Sequence, residues 1–208
     1  MIKGNAITKL KHELSDLYEI KINIKEGNNK KMLFEIWEHF NPEDKEIEEI
    51  DEKWCKINNI YILILQYIVN IGFQGKNPLT DFRGSGLLGL KHLWKFSISD
   101  KRADYIFKIA SGQKSWYFYA ATSINISGKV IQFIEENFCD NFFYDHFNNI
   151  NLFDFSFLLY SEFFYEFNNF WVKGNYNDIM MVNSLLETFI DNYAEDIFKR
   201  EIIEKKLF

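Results

Sequence analysis

The sequence predicts an all-α fold, a single compact domain of roughly eight helices. Apolar residues recur at spacings of three and four along most of the chain, which is the period of an amphipathic helix. Hydrophobic residues make up 47% of the 208 residues and aromatic residues 18%, which provides enough apolar surface for a sizeable core. There is no alternation of strand-like and helix-like segments and no proline-rich linker, so we expect one helical domain over residues 1–208.

Two apolar stripes predict the first two helices. The first stripe consists of Ile7, Leu10, Leu14 and Leu17. The second consists of Met32, Leu33, Ile36, Trp37 and Phe40. Each set lies on one face of a helix and is expected to pack against the core. Between the stripes, Ile20, Ile22 and Ile24 alternate with polar residues, which predicts a short extended arm.

A third and a fourth helix are expected over residues 42–57 and 59–71. Asn41 and Pro42 suit the N-cap and the first position of the third helix. Its apolar stripe consists of Ile47, Ile50, Trp54 and Ile57. The acidic run opposite, over residues 43–52, is interpreted as a solvated helix face, with docking of a basic partner as the alternative. The apolar segment 59–71 is interpreted as a buried helix because it is longer than a typical strand.

Further helices are expected in the second half of the chain. One begins near Ser85, and Ser99 with Asp100 is expected to cap the next. The apolar face of that capped helix consists of Ala103, Ile106, Phe107 and Ala110. Long aromatic-rich helices follow at about 116–138, 151–172 and 177–206. A stripe within them is interpreted as core packing rather than as a site: Leu159, Tyr160, Phe163, Phe167 and Trp171.

Composition and short motifs exclude several classes of function. The net charge is −6 and Lys and Arg are not clustered, so nucleic acid is not an expected partner. The longest apolar stretch, residues 60–69, is about half of a membrane span, so no transmembrane segment is expected. The N-terminus has no apolar leader, and Cys55 and Cys139 are isolated, as in reduced cytoplasmic proteins. The four histidines lack metal-ligand spacing, and His92 is interpreted as a surface residue.

Residues 72–89 have an unusual composition. They contain five of the ten glycines and one of the two prolines, Pro78. Glycine permits positive φ and proline fixes φ, so residues 72–84 are expected to form a defined connection between two helices. Arg83 lies just before the predicted helix start, where unpaired amides suit an anion such as phosphate. The alternative is that Arg83 pairs with Asp81 or a distant acid and only holds the loop.

The same segment contains residues at a series of fixed spacings. They are Gly72, Phe73, Gln74, Pro78, Thr80, Asp81, Phe82, Arg83, Gly84, Gly86, Leu90 and Leu93. This series resembles the signature of the ELMO-domain family, and it departs from that signature at Ile68, where the family has Trp. Weaker similarities extend the resemblance to about residues 33–185. The remaining residues are expected to form N- and C-terminal helical extensions of this core.

The resemblance implies a function that depends on an arginine. ELMOD-type members keep this arginine and resemble GTPase-activating proteins for Arf and Arl small GTPases, so Arg83 is the implied catalytic residue. Other residues of the signature are expected to organise the loop or contact the partner: Gly72, Phe73, Gln74, Pro78, Thr80, Asp81, Gly84 and Gly86. The chain has no G-x-x-x-x-G-K motif, so no cofactor of its own is expected, and GTP and magnesium would be held by the partner GTPase. This implies a cytoplasmic regulator of GTP hydrolysis in membrane traffic, with recruitment to a membrane possible through the partner.

Two alternatives stay open from the residues alone. Family members that lack the arginine belong to larger scaffolds that pair with DOCK exchange factors. The alternative function is therefore a non-catalytic binding module or scaffold that docks a small GTPase or a DOCK-like exchange factor. Within the loop, Asp81 is expected to cap the loop or orient Arg83, and Gln74 to position a partner residue or bond the loop backbone.

Overall fold

A computed structural model describes residues 2–23, 25–43, 71–74, 78–136, 138–142 and 151–203. Within these ranges the chain forms seven α-helices and no strand. The helices are α1 Ile2–Glu19, α2 Gly27–Phe40, α3 Gly86–Ser99, α4 Ala103–Ala110, α5 Tyr119–Glu135, α6 Leu152–Lys173 and α7 Val182–Ile197. Short 3-10 segments at Pro78–Gly84 and Ile179–Met181 and a π-helical segment at Phe198–Ile203 complete these elements. The prediction of an all-α, single-domain fold is confirmed.

The core is arranged around α3 and α5. Helix α3 packs against α1, α2 and α5, while α5 also packs against α6 and α7. The apolar residues of α3 that lie in this core are Leu88, Leu90, Leu93 and Phe96, all without solvent exposure. The predicted stripe on α6 is equally buried: Leu159, Tyr160, Phe163, Phe167 and Trp171. Each such side chain contributes about 1.5–3 kcal/mol of burial free energy, so the interpretation of this stripe as core is confirmed.

Helix boundaries agree with the sequence in several places and differ in two. Helix α3 begins at Gly86, directly after the expected Ser85. Ser99 is the last residue of α3 rather than a cap of α4, so that cap prediction is wrong for Ser99. The expected long helix over 177–206 begins with a separate 3-10 turn, because the side chain of Asp178 accepts a hydrogen bond from the Met180 amide.

Residues 20–23, where a short extended arm is expected, have no regular secondary structure and pair with no strand among the described residues. The Ile20 carbonyl accepts a hydrogen bond from the Leu87 amide at 2.9 Å. This segment therefore joins the end of α1 to the first turn of α3.

Some predictions fall on residues outside the described ranges. Two expected helices lie there: the helix over 42–57 with its acidic run beyond Glu43, and the buried helix over 59–71 except for its last residue. Three single residues also lie there: Ile24, Cys55 and Ile68. At the edge of this region, Asn41 ends α2, and its amide bonds the Trp37 carbonyl at 2.8 Å. No helix in the described part of the chain is long and apolar enough to cross a membrane.

A charged cluster fastens the α3–α4 corner to α6. The Arg102 guanidinium lies 2.6 Å from Asp100 Oδ2 and 2.9 Å from Glu162 Oε1. The side chain of Glu162 is only 4% exposed, so it needs this partner to offset the loss of hydration. Burial lowers the pKa of Arg102, but the hydrogen bonds and charges of Asp100 and Glu162 together raise it by more. The guanidinium therefore stays charged.

Candidate functional site

The first part of the glycine-rich segment caps helix α5. The carbonyls of Ile71 and Gly72 accept hydrogen bonds from the amides of Ala120 and Ala121 at 2.9 and 3.1 Å. Gly72 has φ of +82°, and a Cβ at this position would lie 2.5 Å from the Tyr119 amide nitrogen. Only glycine fits, because both the backbone conformation and the close approach exclude a side chain.

An aromatic pair anchors the second part of the segment. Pro78 opens the 3-10 helix Pro78–Gly84 and is buried together with Phe82. The Phe82 ring packs on Phe73, with ring centroids 5.7 Å apart. Because Phe82 is held in the core, the neighbouring residue Arg83 lies at the surface on a fixed backbone.

Asp81 ties the two parts of the segment together. Its Oδ2 accepts a hydrogen bond from the Gln74 amide at 2.6 Å, and its Oδ1 accepts a longer one, 3.4 Å, from the Thr80 hydroxyl. Partial burial raises the pKa of Asp81, and the Gln74 amide, Thr80 and Arg83 oppose that rise. Asp81 therefore bonds the loop as a cap would, and Gln74 contributes its backbone amide to this contact.

Arg83 is exposed and is held through one nitrogen. Its Nε donates a hydrogen bond to the Thr80 carbonyl at 2.8 Å. Among the residues that the structure describes, its two terminal nitrogens have no hydrogen-bond or ion-pair partner. Asp81 acts on Arg83 only through the longer-range electrostatic attraction and forms no ion pair with it. The guanidinium thus presents its two Nη groups to solvent.

The start of α3 is covered by the chain itself. Gly86 has φ of +52°, and a Cβ there would lie 2.1 Å from the Tyr18 carbonyl oxygen. The Leu87 amide next to it donates to the Ile20 carbonyl. Gly86 therefore allows the end of α1 to pack on the first turn of α3. The expectation that this helix start offers its amides to an anion is wrong for Leu87, whose amide is already satisfied.

A surface cleft lies beside Gly84, the residue after Arg83, and it could not be predicted from the sequence. Its volume is about 410 Å³, and Gly84 lies at its edge between the end of α1, helix α5 and helix α7. Gly128 of α5 also lines it, and a Cβ at Gly128 would meet Tyr18 Oη at 3.5 Å, an ordinary contact. A glycine inside a helix costs about 1 kcal/mol relative to alanine, so packing within the chain does not explain it. We call this cavity the α5–α7 cleft.

His92 is buried, so its interpretation as a surface residue is wrong. Its ring lies between Ser127 and Ser156, with both ring nitrogens 3.1 Å from a hydroxyl oxygen, and it stacks on Tyr160. The Ser156 hydroxyl donates to the Phe153 carbonyl at 2.8 Å, and the Ser127 hydroxyl has a longer contact, 3.3 Å, with the Ser123 carbonyl. Because a neutral ring has one N–H, the shorter Ser156 bond favours Nε2–H as the donor to Ser156 and Nδ1 as the acceptor from Ser127. Burial, with a smaller contribution from Lys95, lowers the pKa of His92 to about 3. This histidine is a neutral core residue.

Comparisons with known proteins agree with the signature. A model of the ELMO/CED-12 family matches residues 12–186. ELMO domain-containing protein 2 of Mus musculus is 26% identical over 190 residues, which cover 91% of this chain and 60% of that protein. ELMO domain-containing protein B of Dictyostelium discoideum is 28% identical over 157 residues, covering 76% of this chain and 49% of that protein. ELMO domain-containing protein 1 of Bos taurus is 27% identical over 188 residues, covering 77% and 51%.

The chain spans about half to three fifths of the length of these curated relatives. No solved structure matches it. The family match covers most of the chain, from the middle of α1 to the start of α7, and includes the whole glycine-rich segment. This chain belongs to the ELMO/CED-12 family.

Proposed function

We propose that this chain is a GTPase-activating protein for small GTPases of the Arf/Arl family, and that Arg83 is the residue it supplies to their active site. The main support is the state of Arg83. It is exposed, its Nε is fixed by the Thr80 carbonyl, and its terminal nitrogens have no partner among the described residues. The signature that contains Arg83 is the one that ELMOD-type members share.

The chemistry of phosphoryl transfer explains why such an arginine is effective. The transition state is loose, and its charge spreads over the oxygens of the transferring phosphoryl group. A guanidinium offers forked donors that contact two oxygens at once, and it remains charged at any physiological pH. An arginine supplied in this way accelerates hydrolysis by about 10³ to 10⁵, which corresponds to about 4–7 kcal/mol of transition-state stabilisation. GTP, magnesium and the water-positioning glutamine would belong to the partner.

Contacts of the residues around Arg83 hold its backbone in place, as this role requires. Phe82 is anchored in the core, and the Asp81–Gln74 bond closes the loop on the segment that caps α5. A donor that is held in place before the partner binds loses less conformational entropy on binding. The same contacts would place the arginine at a reproducible position against the partner.

A second candidate is a non-catalytic module that docks a small GTPase or a DOCK-like exchange factor. The bond from Arg83 Nε to the Thr80 carbonyl favours it, because this bond gives the arginine a structural role that needs no catalysis. Both candidates predict binding to a GTPase, and only the first predicts faster hydrolysis.

Single-turnover GTP hydrolysis separates the two candidates. A panel of Arf and Arl proteins, each loaded with GTP and magnesium, is mixed with the whole chain, and the rate of phosphate release is measured. The proposal expects acceleration of at least one panel member. Binding of a GTP-loaded member without acceleration would favour the docking module, and absence of both would refute the proposal.

A further inference from the structure

The α5–α7 cleft lies next to the residue that the proposed function depends on. Gly84 follows Arg83 in the chain and lines the cleft, and its carbonyl oxygen would lie 3.9 Å from a Cβ on Gly128. The cleft therefore borders the backbone that carries Arg83. A GTPase that docked on Arg83 would lie close to this cleft.

Gly128 keeps the cleft open. A Cβ at this position would contact Tyr18 only at 3.5 Å, so the fold tolerates a side chain here. Glycine nevertheless weakens α5, because it is a poor helix former. The lack of a side chain on Gly128 leaves space in the wall of the cleft, which a longer side chain would fill. Packing around the Cβ position therefore does not require glycine here.

Two asparagines supply the polar groups of the cleft. The side-chain amide of Asn125 on α5 donates to Asn183 Oδ1 on α7 at 2.8 Å. This bond leaves the Oδ1 of Asn125 as an acceptor and both N–H groups of Asn183 as donors, with no other partner in the described residues. An acceptor beside a donor is the arrangement that bonds the N–H and C=O of a peptide group.

Two of the three charged side chains that line the cleft, Lys129 and Glu187, form an ion pair, and the third, Glu135, accepts a hydrogen bond from the Ser15 hydroxyl at 3.0 Å. Lys129 Nζ lies 2.5 Å from Glu187 Oε1 and 3.1 Å from Gln132 Oε1. Its ammonium group is therefore already engaged, and the cleft offers no unpaired cation for a phosphate or another anion. The remaining amide chemistry favours a neutral peptide backbone as the occupant.

We propose that the α5–α7 cleft binds an extended peptide segment of the GTPase partner, one that borders its nucleotide, through the amides of Asn125 and Asn183. This inference rests on the proposed function, since it names the same partner. It assigns the cleft to docking and leaves the chemistry to Arg83. The cleft and Arg83 then form one interface, in which the cleft binds the partner and Arg83 contacts its nucleotide.

The test is Gly128→Leu, which fills the cleft with a side chain, and the matched control is Gly27→Leu. Gly27 is exposed at the start of α2, does not line the cleft, and has no atom within 4 Å of a Cβ placed there. Calorimetric titration measures binding of the panel GTPase loaded with a non-hydrolysable GTP analogue. We expect Gly128→Leu to weaken binding about tenfold or more and Gly27→Leu to leave it unchanged. Circular dichroism and thermal melting verify that both variants fold.

If Gly128→Leu fails to fold, Asn183→Ala is measured in its place, because it removes an exposed amide without adding bulk. Unchanged binding by a folded cleft variant, while the wild-type chain binds and accelerates hydrolysis, would overturn this inference and leave the proposed function standing. Weakened binding by the cleft variant, with no acceleration of hydrolysis by the wild type, would support docking in the cleft and refute the proposed function. Absence of wild-type binding to every panel member would refute both.

Discussion

Buried His92 gives the fold a measurable sensitivity to acid. Its pKa is about 3 in the folded chain, against about 6.5 in an unfolded chain. Below pH 6.5 the unfolded state therefore binds a proton that the folded state does not bind. The contribution of His92 to stability is complete above pH 6.5 and falls as the pH drops, until the ring also titrates in the folded state near pH 3.

The size of the effect follows from the two pKa values. Between pH 7 and pH 5 the free energy of unfolding should fall by about 2 kcal/mol because of this one ring, and between pH 7 and pH 3 by about 4 kcal/mol. His92→Gln removes the titration while keeping one donor and one acceptor for Ser127 and Ser156. We expect the variant to be less stable at pH 7 and to lose less stability on acidification.

Urea unfolding at pH 7 and pH 5 measures this difference. His12→Gln is the matched control, because it removes a histidine whose side chain is 76% exposed on the surface of α1. If wild type and His92→Gln lose the same free energy between the two pH values, His92 is not the neutral, buried ring described above.

Three further predictions concern the signature loop, the charged cluster and the isolated chain. Gly72→Ala should destabilise the fold by about 1–3 kcal/mol because of the positive φ, and by a further amount because the new Cβ would meet Tyr119. Gly84→Ala, where no atom lies within 4 Å of the new Cβ, should change the stability by less than about 0.5 kcal/mol. Urea unfolding that gives the two variants equal stability would contradict this. Arg102→Ala should cost about 2–4 kcal/mol in the same assay because the nearly buried Glu162 loses its ion pair with Arg102, and adding Glu162→Gln should recover part of the loss; no recovery would show that the charge of Glu162 is not the source of the cost. The isolated protein should bind neither GTP nor zinc tightly, and sub-micromolar affinity for either in a calorimetric titration would refute this.

Periodicity predicted most helices because their buried residues repeat regularly. The stripe on α6 is an example, since Leu159, Phe163 and Phe167 follow the helical period and are all fully buried. Boundaries set by single side chains were harder to predict. Ser99 and Asp178 are both good cap residues, yet only Asp178 begins an element, and the difference depends on where the preceding helix ends.

Residues whose role depends on distant contacts could not be interpreted from the sequence. His92 is neutral and buried because Ser127 and Ser156, 35 and 64 residues away, supply its hydrogen bonds. Gly86 requires glycine because the end of α1 packs against it, and no local pattern indicates that contact.

In the candidate site, too, local patterns could be interpreted from the sequence and contacts between distant residues could not. The spacing of the signature pointed to Arg83, and the structure places this residue in the 3-10 helix Pro78–Gly84. The α5–α7 cleft is formed by α1, α5 and α7, which are distant in sequence, so only the folded chain reveals it. Gly128, a glycine inside a helical pattern, was the one local signal.

The central claim is tested most directly by single-turnover hydrolysis with Arg83→Lys, compared with Arg200→Lys. Arg200 is also exposed but lies near the end of the described chain, paired with Glu201. We expect Arg83→Lys to melt like the wild type, to bind the GTP-loaded partner, and to lose most of the acceleration of about 10³ to 10⁵, because lysine lacks the forked donors. Arg200→Lys should retain full acceleration. Full acceleration by Arg83→Lys would contradict the catalytic role of Arg83 and leave the chain as a GTPase-binding module.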